Sequence, residues 1–333
     1  IMLSVLLTNT PPILICQSVG TLIYNIIISR VADARYPSIR KKNIKPLEEK
    51  DRKDLFKNIK ALVIIKIGGV LVNSTDNIII SSIKGLAVTG LNSNYTLLMN
   101  TLNSILQQLF NGITASVGNL NAIEKKEKKK SMFKVINFLN FWLFAWATIA
   151  FIILANDIVM ICFGTRYLLS QNIVIISAIN FYVVGMQNAV WTYKTTMGLF
   201  DYGKYLVAGT GIINLILSIV LGKQWGLFGI LLATLISRMI TNVWYDSYAV
   251  FKYGFKEKPV EYFGIYVKYI VVGIITFFIT KIISESLSRT LFITFIWKLT
   301  CCIIIPNILF IIIFYKKEEM KYLKEKIKNI LAK

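Results

Sequence analysis

The chain has 333 residues, 55% of them hydrophobic, and a formal net charge of +21 from 38 basic and 17 acidic side chains. Its mean hydropathy of +0.61 lies well above that of a soluble domain and points to a membrane protein. Such a charge in a soluble protein would suggest nucleic-acid binding, but the cations cluster in short segments between apolar runs, which membrane orientation explains and a nucleic-acid groove does not.

Runs of about 20 apolar residues predict an all-α, polytopic membrane helix bundle. After an apolar stub at residues 1–7, spans are expected at residues 13–31, 59–82, 86–120, 133–155, 172–196, 205–221, 227–250, 263–283 and 291–314. Segments 30–60, 122–134, 193–205, 250–268 and 315–333 hold 11, 6, 2, 4 and 7 Lys and Arg, whereas the four segments between them hold 1, 1, 1 and 2. The basic set is therefore expected in the cytoplasm, with the C-terminus inside. Lys66, Arg238 and Lys298 remain within spans. No cleavable signal peptide is visible, and the start at Ile1 suggests that sequence is missing upstream.

Residues 30–60 combine a turn at Tyr36-Pro37 with a mixed-charge stretch whose apolar positions are Leu47, Leu55, Phe56 and Ile59, as in an interfacial segment. In the tail, Met320, Leu323, Ile327 and Ile330 recur at spacings of three and four and are expected to face the membrane. Both segments are candidates for binding membrane lipids. The tryptophans fall mostly towards span ends and read as interfacial anchors.

The span around residues 62–81 is apolar yet carries Lys66, Asn73, Asp76 and Asn77. At about 100° per residue these share one side of a helix. Ionisable groups inside a span are costly and mark bundle interiors or water-filled cavities. The next span holds Asn92, Asn100, Asn103, Gln107 and nine further Ser, Thr, Asn and Gln side chains between Thr89 and Asn119, without a charge. Lipid cannot hydrogen-bond them. Two readings stand: close helix packing through small polar residues, or a cavity wall whose amides suit a hydroxyl-rich ligand.

Arg238 lies near the middle of its span, where a guanidinium needs an acidic partner, water or an anionic ligand. Lys66 and Asp76 are about 15 Å apart along one helix and cannot pair. Lys66 and Asp246 fall at similar depths, which makes them a candidate structural ion pair. Arg238 is then left for an anionic substrate and Asp76 for ion coupling or gating.

Cys16, Cys162, Cys301 and Cys302 have no ligand-like spacing and read as small packing residues, so neither metal nor disulfide is expected. Histidine is absent, which removes imidazole ligands and proton relays. No nucleotide-binding loop is present; Gly209-Thr210-Gly211 opens an apolar span and is a poor dinucleotide turn. No cofactor and no catalytic residue is expected.

Residues 57–119, with KIGGVLVNSTDNIIIS, SNYTLL and ITASVGNL, resemble Wzx-type polysaccharide exporters, the lipid-linked oligosaccharide flippases of the MOP superfamily. NIIISRVADARYP and SRMITNVWYDSYAVFKYGF also fit. The resemblance implies two six-helix lobes around a central cavity, no enzymatic activity and a place in the bacterial cytoplasmic membrane. The substrate would be an undecaprenyl-diphosphate-linked oligosaccharide, with other polysaccharide-assembly membrane proteins as further partners. On that template residues 1–33 are the last helices of the first lobe, 34–57 a basic linker, 58–253 the second lobe, 259–315 two additional spans and 316–333 a cytoplasmic tail; about four helices would precede residue 1. A lipid II flippase or multidrug antiporter of the same superfamily is the alternative. From another class, a membrane polysaccharide polymerase or glycosyltransferase would need a large outer loop, and the longest one here, residues 156–171, is short.

Overall fold

The computed structural model describes residues 10–37, 47–287 and 289–331, apart from the side chains of 10–14, 73, 74, 327 and 329–331. The apolar stub at residues 1–7 and much of the 34–57 linker lie outside the described residues. The described residues are all-α: α1 (Thr10–Arg35), α2 (Glu49–Ile123), α3 (Lys126–Phe163), α4 (Gln171–Thr196), α5 (Lys204–Ile240), α6 (Asn242–Ala249), a π-helical turn (Val250–Phe255), α7 (Val260–Ser284), α8 (Leu291–Phe314) and α9 (Glu318–Leu331). Six described segments are long and apolar enough to cross a membrane: Ile15–Arg35, Lys126–Phe163, Gln171–Thr196, Lys204–Phe255, Val260–Ser284 and Leu291–Phe314. The protein is a multi-pass membrane protein.

The described residues fall into two compact units, divided between Leu55 and Phe56. In the first, α1 exposes Ile15, Leu22, Ile23, Ile26 and Ile27, an apolar surface suited to lipid. The second carries the site.

Within it, glycine backbones turn two long helices. Gly85 (φ 82°, ψ 168°) breaks α2 and Gly226 (φ 62°, ψ −137°) breaks α5, conformations that only glycine adopts cheaply. Each break coincides with a boundary between predicted spans. Contacts then define two ends. At one, Lys57 meets Asp201, Asn121 donates to Thr196, and Lys126 pairs with Glu257. At the other, the Tyr95 hydroxyl bonds Asn156 and accepts from the Leu169 amide, and Lys298 pairs with Asp157. The charge-rich segments 122–134, 193–205 and 250–261 thus share one end.

The core is aromatic. Phe133 packs edge-on against Tyr193, Phe251 and Phe255, and Phe141 stacks on Tyr269 at 4.2 Å, joining α3, α4, the π-helical turn and α7. Such pairs contribute about 0.5–1.5 kcal/mol each beyond their burial. α8 is pinned to α3 by Lys298–Asp157 at 2.7 Å, Trp142 Nε1 to Asn307 Oδ1 at 2.6 Å and Trp146 Nε1 to the Cys302 carbonyl at 2.9 Å. Two of the expected interfacial anchors are therefore spent inside the bundle, because an indole N–H facing α8 finds an acceptor that lipid cannot supply. Cys301 and Cys302 are buried, whereas Cys16 and Cys162 are exposed and do not pack in this core.

The tail also departs from expectation. Met320 is buried and Leu323 packs against the aromatic core, so these two positions face protein and not the membrane. Ile327 and Ile330 lie outside the described side chains.

Candidate functional site

The first half of α2 crosses the start of α5 at close range. A Cβ on Gly68 would meet the Val207 backbone at 2.8 Å, and one on Gly211 would meet Leu71 Cβ at 2.9 Å. Gly211, part of the faint dinucleotide turn, is here a helix-packing residue.

The crossing brings two polar features together. In the first, Asn214 Nδ2 donates to Thr234 Oγ1 at 3.0 Å, and Thr234 Oγ1 donates to Asp76 Oδ2, also at 3.0 Å. Asp76 Oδ1 is buried and accepts no hydrogen bond from the described residues. Arg238, one turn beyond Thr234, attracts the Asp76 carboxylate electrostatically. Asp76 and Arg238 thus belong to one network.

The second is a cavity of about 420 Å³ lined by Lys66, Gly69, Trp191, Val207, Arg238 and Asn242 among others. Lys66 and Arg238 come from helices far apart in sequence and put two cations on one space, with no carboxylate in its lining among the described residues. The helix breaks beside it: Thr241 (φ −115°, ψ −87°) separates α5 from α6. The Thr241 and Thr210 hydroxyls lie 2.7 Å apart, and Thr210 Oγ1 lies 3.0 Å from Asn242 Oδ1. Non-helical backbone at membrane depth is tolerated where it is buried in protein or lines a cavity, and both conditions hold here.

The other candidates scatter. Asn77 and Asn100 are exposed, and Asn103 is half-buried. The Asn73 side chain lies outside the described residues. Asn92 is buried and makes a long 3.5 Å contact with Thr96 of its own helix. Gln107 Nε2 donates to Asn188 Oδ1 of α4 at 2.9 Å, so this amide joins helices. α2 therefore packs on α4 through Gln107, while Asn100 is exposed.

The candidate pair Lys66–Asp246 is corrected. Asp246 Oδ1 accepts from Lys194 Nζ at 2.6 Å, with both side chains almost wholly buried, while Lys66 is exposed to the cavity. Similar depth did not put the two on facing surfaces. Lys194, Thr234, Asn242 and Trp191 are the residues that sequence reasoning missed. Thr234 sits four residues before Arg238 and was legible as its neighbour on one face; Lys194, at a span end, reads as an ordinary loop cation.

Fold and site together define a polytopic, all-helical membrane protein with a cationic cavity beside a broken helix. A solved structure, lipid II flippase MurJ in an inward closed conformation, shares the fold, with TM-score 0.52 and 15% identity over 77% of this chain and 52% of that one. This chain spans about half the length of that protein. No protein-family model and no curated protein sequence matches it.

Proposed function

We propose that the chain belongs to a flippase that carries an undecaprenyl-diphosphate-linked oligosaccharide from the cytoplasmic to the outer face of a bacterial membrane, as a Wzx-type exporter. The convergence of Lys66 and Arg238 on one cavity carries the reading. A diphosphate headgroup must cross about 30 Å of hydrocarbon and needs fixed donors in place of water. Arg238 supplies a planar fork for two phosphate oxygens, and Lys66 a compact charge. Asp76 belongs to the same mechanism. A diphosphate that draws Arg238 away leaves Asp76 without its neighbouring cation and favours uptake of a proton or metal cation there. Substrate and coupling ion are then linked reciprocally. The membrane potential adds about 2.3 kcal/mol per charge per 100 mV.

The test is genetic. Cells deprived of the natural full-length protein should accumulate lipid-linked oligosaccharide on the inner leaflet and lose surface glycan. Lys66→Ala and Arg238→Ala versions should reach the membrane at normal abundance without restoring export. Export at the wild-type level by Arg238→Ala overturns the role of Arg238. The MurJ-like fold favours a second reading, a lipid II flippase, for which accumulation of lipid II would be the signature. Altered glycan length with normal translocation would point instead to a polymerase or glycosyltransferase.

A further inference from the structure

A second cationic space lies at the charge-rich end of the 56–333 unit, apart from the Lys66–Arg238 cavity. It is a cleft of about 450 Å³ whose lining includes Lys126, Lys129 and Lys256 together with Met197, Leu199 and Tyr253. It is built by four elements, α2, α3, α4 and the π-helical turn, that the fold ties together. Asn121 Nδ2 donates to Thr196 Oγ1 at 2.7 Å, the Tyr193 hydroxyl donates to the Lys129 carbonyl at 3.0 Å, and Tyr202 stacks on Tyr253 with centroids 3.9 Å apart.

The charge in this cleft is only partly offset. Lys126 pairs with Glu257 at 3.0 Å, but Glu257 is shared with Lys130 at 2.7 Å. Lys129 Nζ spends one donor on the Asn121 carbonyl and has two left. Lys256 makes no ion pair with a described residue. Its backbone is also unusual: it is the one described non-glycine residue with positive φ, at φ 55° and ψ 47°. It caps the π-helical turn, its N–H bonding the Phe251 carbonyl, which fixes the start of its side chain beside the cleft. Among the described residues, no carboxylate appears in the cleft's lining. The lining also includes Met197, Leu199, Tyr253 and Phe255, apolar and aromatic groups that suit an anion bearing an organic substituent better than a bare ion. Asn121 Oδ1, buried and accepting no hydrogen bond from the described residues, offers an acceptor for a hydroxyl of that substituent.

We propose that this cleft binds the phosphodiester headgroup of an anionic membrane lipid. The proposal is independent of which substrate is transported. Lipid and free phosphate share the chemistry, and the experiment separates them. The purified natural protein is placed in vesicles of phosphatidylcholine with a trace of fluorescent phosphatidylglycerol, and energy transfer from its tryptophans reports binding. Lys129→Gln with Lys256→Gln should weaken binding about tenfold or more, since each lysine near a surface contributes on the order of a tenfold factor or somewhat less. Lys223→Gln with Arg289→Gln, two exposed cations outside the cleft, should leave it unchanged. Equal losses from the two pairs, or none from the first, overturn the proposal. Full displacement by millimolar inorganic phosphate or pyrophosphate overturns the lipid assignment.

Lys256→Gly guards against misfolding. It removes the cation and relieves the left-handed backbone, so thermal stability should hold or rise while lipid binding falls. A fall in both marks a structural role and sinks the site.

Discussion

Lys194 Nζ lies 2.6 Å from Asp246 Oδ1, and both side chains are buried to within 2% of their surface. Trp191 stands beside the ammonium, 5.3 Å from ring centroid to nitrogen. The pair joins α4 to α6 close to the Lys66–Arg238 cavity. Removing one partner leaves a charge in a protein interior, which costs about 3–5 kcal/mol. Asp246→Ala should therefore lower the thermal midpoint in detergent sharply, and Lys194→Met should do likewise. The double substitution Lys194→Met with Asp246→Leu should recover most of the loss, because a matched apolar pair removes both desolvation costs. No recovery would mean that the pair is not the dominant interaction there.

Thr234 holds the Asp76 carboxylate at 3.0 Å while accepting from Asn214 at the same distance. Thr234→Val keeps the shape and deletes the bridge, at a cost of about 1–3 kcal/mol for buried groups left unpaired. Thr234→Ser should retain both stability and transport. If valine and serine variants transport alike, the network has no part in coupling.

Gly185 packs beneath Phe144, with a Cβ built there falling 2.0 Å from the ring. Gly185→Ala should destabilise by about 1–3 kcal/mol through overpacking. Phe144→Leu should relieve most of that in the double variant, and thermal melts of the four proteins would give the coupling directly.

Outside the spans, Asp201 accepts from Lys204 and pairs with Lys57 at 2.8 Å; Lys204 foremost, then Lys57, holds its carboxyl below the usual aspartate range. A depressed folded value means that the contribution is fully present above the unfolded pKa and fades as pH falls through the folded one. The stability gap between wild type and Asp201→Asn should hold near neutral pH and close in acid, below about pH 4. It should also narrow at high salt, since Lys57 is well exposed. A gap unchanged down to pH 2 would remove the ion pairs as its cause.

What the sequence determined by itself was the membrane class, the helical spans and their breaks, and the helix that carries Lys66, Asp76 and Arg238's future neighbours. These follow from local quantities: the cost of placing a polar group in hydrocarbon and the run length that spans it. The tertiary structure decided the pairings. Depth along a helix is one coordinate, whereas an ion pair also needs the right rotation and separation of two helices. For that reason Lys66 and Asp246, alike in depth, do not meet, and Asp246 takes Lys194 instead. The same geometry spends Gln107 on Asn188, Trp142 on Asn307 and Met320 on the aromatic core. It leaves Lys66 and Arg238 to share a cavity that no spacing in the chain announces.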